Sequence, residues 1–247
     1  MNFFSLFKRK LIYRFKQKIS IDNDKINITS LDELLNFYGS DKADFFKVNN
    51  TKGHGFSKFY SQHLEYLKNK EIYVLEIGSY AGASAAAFSK YFPKSKIFCL
   101  DINISNFKYF SKKIKVFGID IRNEKENLKI LSNIFSKYNI NSFDIIIDDG
   151  SHNLSDMLHS LKFFFQYLKK KGTYIIEDYL HPNYYQRNRD INEILMDKFI
   201  QNLKNKKLFQ SKIITEKDQM YLMKYIQSIY CYKGNLKDSD IAFIKKF

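Results

Sequence analysis

Asp144-Ile-Ile-Ile-Asp-Asp-Gly-Ser-His152 and Thr173-Tyr-Ile-Ile-Glu-Asp178 decide the fold. Each is a short β-branched run that stops at a pair of acids. Runs apolar at successive positions suit strands covered on both faces, as in a parallel sheet flanked by helices. In an open α/β sheet, ligands bind beyond the carboxyl ends of the strands. The two runs therefore deliver Asp148, Asp149, Glu177, Asp178 and the His152 imidazole to one edge. Four carboxylates held together repel one another, and a divalent cation with a proton-accepting histidine beside it relieves that repulsion. Glu177 and Asp178 are successive residues, so they can share a ligand only if the strand ends between them.

Outward from this pair, strands and helices alternate. Ile72 to Ile77, Lys96 to Asp101 and Lys115 to Ile119 read as strands. Ala83 to Tyr91, Glu124 to Lys137 and Leu154 to Leu168 read as the helices between and after them. The alternation predicts a mostly parallel sheet with helices on both faces. After a helix expected over Ile191 to Asn202, Ser228 to Tyr232 and Ile241 to Lys245 have no crossover helix between them. Gly234 and Asn235 lie in that gap, so the pair is expected to close the sheet as an antiparallel hairpin. Upstream, Ser30 and Glu33 form a capping-box pattern for a helix that stops at Gly39, and Phe56 to Lys68 has helical periodicity. Three regions follow: residues 1–20, a basic amphipathic helix (2–19); residues 21–70, a helical cap; and residues 71–247, the α/β core.

The chain has 247 residues, enough for one large α/β domain. No apolar run approaches the roughly 18 to 20 residues of a membrane span. The first twenty residues lack a long apolar segment with a small-residue cleavage site, so no secretory signal is expected. Cys99 and Cys231 both sit in strand-like runs and read as buried, reduced thiols, which suits a cytoplasmic protein. The net charge of +15 fits either a compositional bias, since lysines are scattered throughout, or an anionic small substrate. The basic N-terminal helix can lie on an anionic bilayer at the inner membrane face, dock a partner, or pack on the domain.

The first strand runs into Val74-Leu-Glu-Ile-Gly-Ser-Tyr-Ala-Gly-Ala-Ser84. Gly78 permits a tight turn and close backbone approach, and Gly82 opens a helix whose free amides favour an electron-rich ligand. Asp101 ends the second strand, where Rossmann-like sheets place the acid that binds ribose hydroxyls. The pattern is E-x-G-x-x-x-G rather than the dinucleotide G-x-G-x-x-G, which speaks against NAD.

This stretch resembles motif I of class I S-adenosylmethionine-dependent methyltransferases, and the resemblance continues through Ile97 to Asp101 and Gly118 to Arg122. It implies a Rossmann-like class I methyltransferase sheet. It also implies S-adenosyl-L-methionine held by Glu76, Gly78, Ser79, Gly82, Asp101, Asp120 and Asp148. For Asp148, bracing of the loop or the helix start is the other reading. Asp148-Asp-Gly-Ser-His152 and Glu177-Asp178 further resemble the metal-dependent sugar O-methyltransferases of macrolide deoxysugars and surface glycans. That likeness implies Mg²⁺ bound by Asp149, Glu177 and Asp178, with His152 as base. Gly39-Ser-Asp-Lys42, His54 and Tyr60 resemble the family's N-terminal segment, and Lys42, His54 and Tyr60 are candidate substrate contacts. Tyr184-Tyr-Gln-Arg-Asn-Arg189 follows the acid pair. Tyr184, Arg187 and Arg189 could grip the base and diphosphate of a nucleotide, or the stretch is a solvated loop.

The expected function is Mg²⁺-assisted O-methylation of a sugar hydroxyl. The expected acceptor is a nucleotide-activated hexose or heptose destined for surface polysaccharide (capsule), and the resemblance suggests a homo-oligomer. The basic charge raises an RNA or DNA methyltransferase as the rival. The chain lacks an N/D-P-P-Y/F motif or zinc cluster, and no nucleic-acid partner is expected. A non-catalytic binding module is the second rival, opposed by the retained Asp149, His152, Glu177 and Asp178.

Overall fold

A computed structural model describes residues 3–247. Seven strands form its main sheet: β1 (Ile72–Ile77), β2 (Ser95–Asp101), β3 (Ile114–Gly118), β4 (Phe143–Asp148), β5 (Leu168–Glu177), β6 (Ile226–Lys233) and β7 (Asp240–Lys246). Their spatial order is β6-β7-β5-β4-β1-β2-β3. The five strands from β5 to β3 run parallel, and β7 is antiparallel to both β5 and β6. The antiparallel C-terminal hairpin is thus present, inserted so that β7 rather than β6 meets the parallel set.

Both faces of the sheet are covered. Along β1, Leu75 and Ile77 enter one apolar cluster and Val74 the other. Along β4, Ile146 faces one side while Ile145 and Ile147 face the opposite one. Every residue of Phe143–Asp148 is buried, as the unbroken apolar run required. Helices α2 (Leu31–Tyr38), α3 (Ser57–Leu64) and α4 (Ala83–Tyr91) contribute to the second cluster. Helices α5 (Glu124–Tyr138), α6 (Leu154–Phe164), α8 (Met196–Lys204) and α9 (Glu216–Tyr225) contribute to the first. Helix α7 (His181–Tyr184) is a single turn beyond β5.

Several boundaries differ from the sequence-based expectation. The N-terminal helix, α1 (Phe3–Phe15), stops early because Ile19–Ser20 pairs in parallel with Tyr109–Phe110; the expected start at residue 2 lies outside the described residues. Helix α6 ends at Phe164 and gives way to a 3-10 turn, so that β5 begins at Leu168. The helix expected over Ile191 to Asn202 starts instead at Met196, because Ile191, Ile194 and Leu195 are spent packing an irregular segment against the core. Helix α9 was not anticipated. Its start carries a reciprocal Thr215–Asp218 capping box that the sequence does display. Cys99 is buried and Cys231 only half-buried; both are free thiols.

Candidate active site

The register of the sheet brings the acids together. Asp148 lies beside Ile176, so the next residues on each chain, Asp149 and Glu177, follow at adjoining strand ends. Strand β5 ends at Glu177, and Asp178 takes a left-handed backbone with φ 50°. That turn sets the two successive carboxylates to different partners. Asp178 faces His54, His152 and His181, whereas Glu177 faces Lys42 and Tyr60.

Asp149, His152 and Asp178 each offer a ligand atom, and these atoms lie within 4.8 Å of one another. His152 Nε2 is 3.7 Å from Asp149 Oδ1 and 3.9 Å from Asp178 Oδ2. Asp178 Oδ1 makes no hydrogen bond of good geometry and has the His54 imidazole 3.5 Å away. Two carboxylates and an imidazole nitrogen that converge in this way form a donor set that fits a divalent cation. His152 has φ 56°, a strained conformation for a non-glycine residue that functional sites tolerate. Asn188 secures the turn, its Nδ2 donating to the His152 carbonyl at 3.2 Å and to Asn153 Oδ1 at 3.2 Å.

Glu177 is occupied differently from the sequence-based expectation. Lys42 is 3% exposed and donates to Glu177 Oε2 at 2.6 Å and also to Asp149 Oδ2, while the Tyr60 hydroxyl donates to Glu177 Oε1. Burial alone would lower the Lys42 pKa, but Asp149 and Glu177 outweigh it and hold the ammonium well above its ordinary value. Burial raises the pKa of Asp149, and repulsion from Glu177 adds to it; burial likewise raises that of Glu177. Lys42 therefore acts as a built-in counter-ion between two of the three expected metal ligands. Tyr60 is fully buried, behind Glu177 rather than at a surface a substrate could reach.

The three histidines around Asp178 have different roles. Burial pushes His152 down to about 4, so its imidazole is neutral and able to accept a proton near pH 7. For His54, burial lowers the pKa, but Asp178, Asp41 and Glu177 reverse the shift and raise it. His54 Nδ1 meets Ser239 Oγ at 2.8 Å and Asp178 Oδ1 at 3.5 Å, a position behind the acid. The His181 ring packs against His152, with ring centres 4.7 Å apart. Its one available signal was its position three residues after Asp178.

A cavity of about 780 Å³ opens beside the cluster, lined by the β1–α4 turn, the ends of β2 and β3, and residues 149–153. Gly78, Ser79, Asp101, Asp120, Asp149 and His152 line it. A Cβ at Gly78 would come within 1.9 Å of the Asp149 carbonyl oxygen, and φ there is +82°, so only glycine lets these two loops touch. Gly82 opens α4 in a left-handed conformation. Asp101 Oδ2 accepts from the Tyr80 amide at 2.7 Å and Oδ1 from the Asn103 amide at 2.5 Å, which fixes its carboxylate at the cavity wall. Asp120 accepts from the Arg122 amide at 3.1 Å. Glu76 and Asp148 are not among the lining residues. Glu76 is fully buried and accepts from Ser84, while Asp148 accepts from Tyr174 at 3.4 Å and is pushed by burial up to about 7. Both brace the loops behind the cavity.

The loop after the acid pair does not reach this cavity. Tyr184 donates to Asp240 Oδ2 at 2.9 Å and Arg189 donates to the Pro182 and Asn183 carbonyls. Arg187 lies over the Tyr185 ring at 5.0 Å. Tyr184 and Arg189 are thus engaged within the protein, and Arg187 rests on a neighbouring ring of its own loop.

No protein-family model matches the chain. It is 29% identical over 155 residues to mycinamicin VI 2''-O-methyltransferase of Micromonospora griseorubida, covering 60% of this chain and 35% of that protein. It is 29% identical over 134 residues to L-olivosyl-oleandolide 3-O-methyltransferase of Streptomyces antibioticus, covering 51% of this chain and 32% of the other. The matches therefore span about a third of the length of these curated relatives. Among solved structures, MycE methyltransferase from the mycinamycin biosynthetic pathway, in complex with Mg and SAH, superposes with a TM-score of 0.64 at 24% identity. That superposition covers 88% of this chain and 54% of MycE. The same enzyme with Mg, SAH and mycinamycin VI gives 0.64 at 23% identity, over 89% and 55%. The chain has the methyltransferase fold, and its similarity in sequence is to O-methyltransferases of macrolide sugars.

Proposed function

We propose that the protein is an Mg²⁺-dependent, S-adenosyl-L-methionine-dependent O-methyltransferase acting on a sugar hydroxyl. The observation that carries this reading is the juxtaposition of Asp149, His152 and Asp178, the first two of which line a cavity bounded by Gly78, Asp101 and Asp120. Both relatives described above are O-methyltransferases, one acting at a 2'' position of mycinamicin VI and the other on an L-olivosyl compound, which supports this acceptor class.

In this reading Asp149 and Asp178 would hold the cation, with Glu177, now paired with Lys42, as a further carboxylate beside them. A bound Mg²⁺ would make a sugar hydroxyl easier to deprotonate, and the sulfonium donor would supply an already activated methyl group. His152, neutral near pH 7, takes the hydroxyl proton as the oxygen forms its bond to the methyl carbon and the carbon–sulfur bond breaks. Asp178 and the flanking His181 ring keep the imidazole in place. Asp101 orients the ribose of the donor and Asp120 its adenine, while the β1–α4 turn closes against residues 149–150. Most of the rate comes from positioning.

The finer reading is a nucleotide-activated hexose or heptose bound for surface polysaccharide. The net charge of +15 favours such an anionic acceptor. Incubation of the protein with donor, Mg²⁺ and a panel of nucleotide sugars, read by mass spectrometry, tests both levels. The expected result is the gain of one methyl on a sugar, lost on chelation and restored by Mg²⁺. Methylation of RNA or DNA but of no sugar would overturn the reading.

A further inference from the structure

Helix α1 turns its polar side to the protein and its apolar side outward. Arg9 donates to the Ile102 carbonyl at 3.0 Å, Lys10 pairs with Glu126 at 3.2 Å, and Lys16 donates to the Ser105 carbonyl at 2.9 Å. Tyr13 packs edge-on against Phe107, with ring centres 6.3 Å apart. The opposite side carries Phe7, Leu11 and Phe15 at four-residue spacing, which places them on one face. They are 53%, 39% and 79% exposed, and Ile12 beside them is 45% exposed. Ile19 and Phe110, on the short strand pair that follows the helix, are 56% and 49% exposed. Lys8 and Arg14, both exposed, border the apolar strip.

We propose that this face of α1 seats the protein on an anionic phospholipid surface. Apolar side chains bordered by basic ones are what an interfacial helix presents to the boundary between headgroups and acyl chains. Charge selects among possible occupants. A second copy would bring its own Lys8 and Arg14 against these and a further net charge of +15, whereas an anionic leaflet brings the opposite sign. The basic residues on the inner side of α1 already hold it to the body, so lipid binding adds contacts without dismantling the helix's dock. Ile102, which receives Arg9, also lines the large cavity, so the seat lies beside the cavity wall. This inference does not depend on the proposed activity.

Sedimentation of the full chain with vesicles tests it, using phosphatidylcholine alone or with about 30% phosphatidylglycerol. The expected result is binding to the anionic vesicles only, weakened at least about tenfold between about 0.05 and about 0.5 M NaCl. A Phe7→Ser/Leu11→Ser/Phe15→Ser variant should lose binding by at least about tenfold while keeping its circular dichroism, because the three side chains are exposed. Lys8→Gln/Arg14→Gln, with the apolar strip intact, should weaken binding in low salt as a second check. Equal binding of wild type and the triple variant would overturn the proposal, as would failure to bind anionic vesicles. A concentration-dependent dimer that the triple variant abolishes in sedimentation equilibrium would also overturn it, by making a second copy the occupant.

Discussion

A buried ammonium between two carboxylates does part of what a bound cation would do: it lets acids be held together without flying apart. Lys42 fills that role for Asp149 and Glu177. Removing one member of a buried ionic set leaves the others uncompensated and costs on the order of 3 kcal/mol. Lys42→Met is therefore expected to lower the unfolding free energy by about that amount in chelator. Added Mg²⁺ should recover a substantial part of the loss, since a second cation then serves the same acids. Chemical denaturation with and without Mg²⁺ reads both effects, and an unchanged stability in chelator would contradict the counter-ion role. His152 makes a separate prediction. Its pKa is pushed down to about 4 by burial, and a protonated imidazole cannot accept a proton. kcat/KM, which reports the free enzyme, should thus hold with respect to this group from neutrality to about pH 5 and fall as pH drops through about 4, in the direction set by losing the base. His152→Ala should lower kcat by about 10²- to 10⁴-fold and leave donor affinity unchanged.

The β1–α4 turn makes the sharpest element-scale claim. It works because Gly78 has no side chain where the Asp149 carbonyl approaches, so the turn proposed to cradle the donor and the loop that carries Asp149 are one packed unit. Gly78→Ala forces them apart at an already left-handed φ, and donor binding measured by calorimetry should weaken by at least about tenfold. Binding within twofold of wild type would show the two loops to be independent. Elements of this kind were legible because their signals are local. The apolar runs ending in acids, the small-residue helix after Gly82 and the Ser30 cap all appear where the sequence pointed. Legibility failed where a local pattern served a distant partner. Ile191, Ile194 and Leu195 have helical spacing but pack as irregular chain, and the Arg187–Arg189 pair found neighbours along its own loop. Helix α9 had a readable start at Thr215 and Asp218, although its exposed face blurred the periodicity.

Over the whole molecule, the site depends on contacts that no stretch of sequence contains. Lys42 and Glu177 are 135 residues apart, and Tyr60 and Glu177 are 117 apart. The residue types at the strand ends were readable, but not that Lys42 would stand among them or that Asp178 would turn away from Glu177. Parallel strand order accounts for both. Strands β4 and β5 lie side by side and stop together, while the N-terminal segment folds over their ends. The central claim is that this edge holds a divalent cation at Asp149 and Asp178, within reach of His152 and beside the donor cavity. The most direct measurement is an anomalous difference map from crystals grown with Mn²⁺ and S-adenosylhomocysteine. The account predicts a manganese peak between the Asp149 and Asp178 carboxylates, with the S-adenosylhomocysteine sulfur facing it from the cavity behind Gly78. A peak at any other group of acids, or a ligand bound away from Gly78 and Asp101, would contradict it.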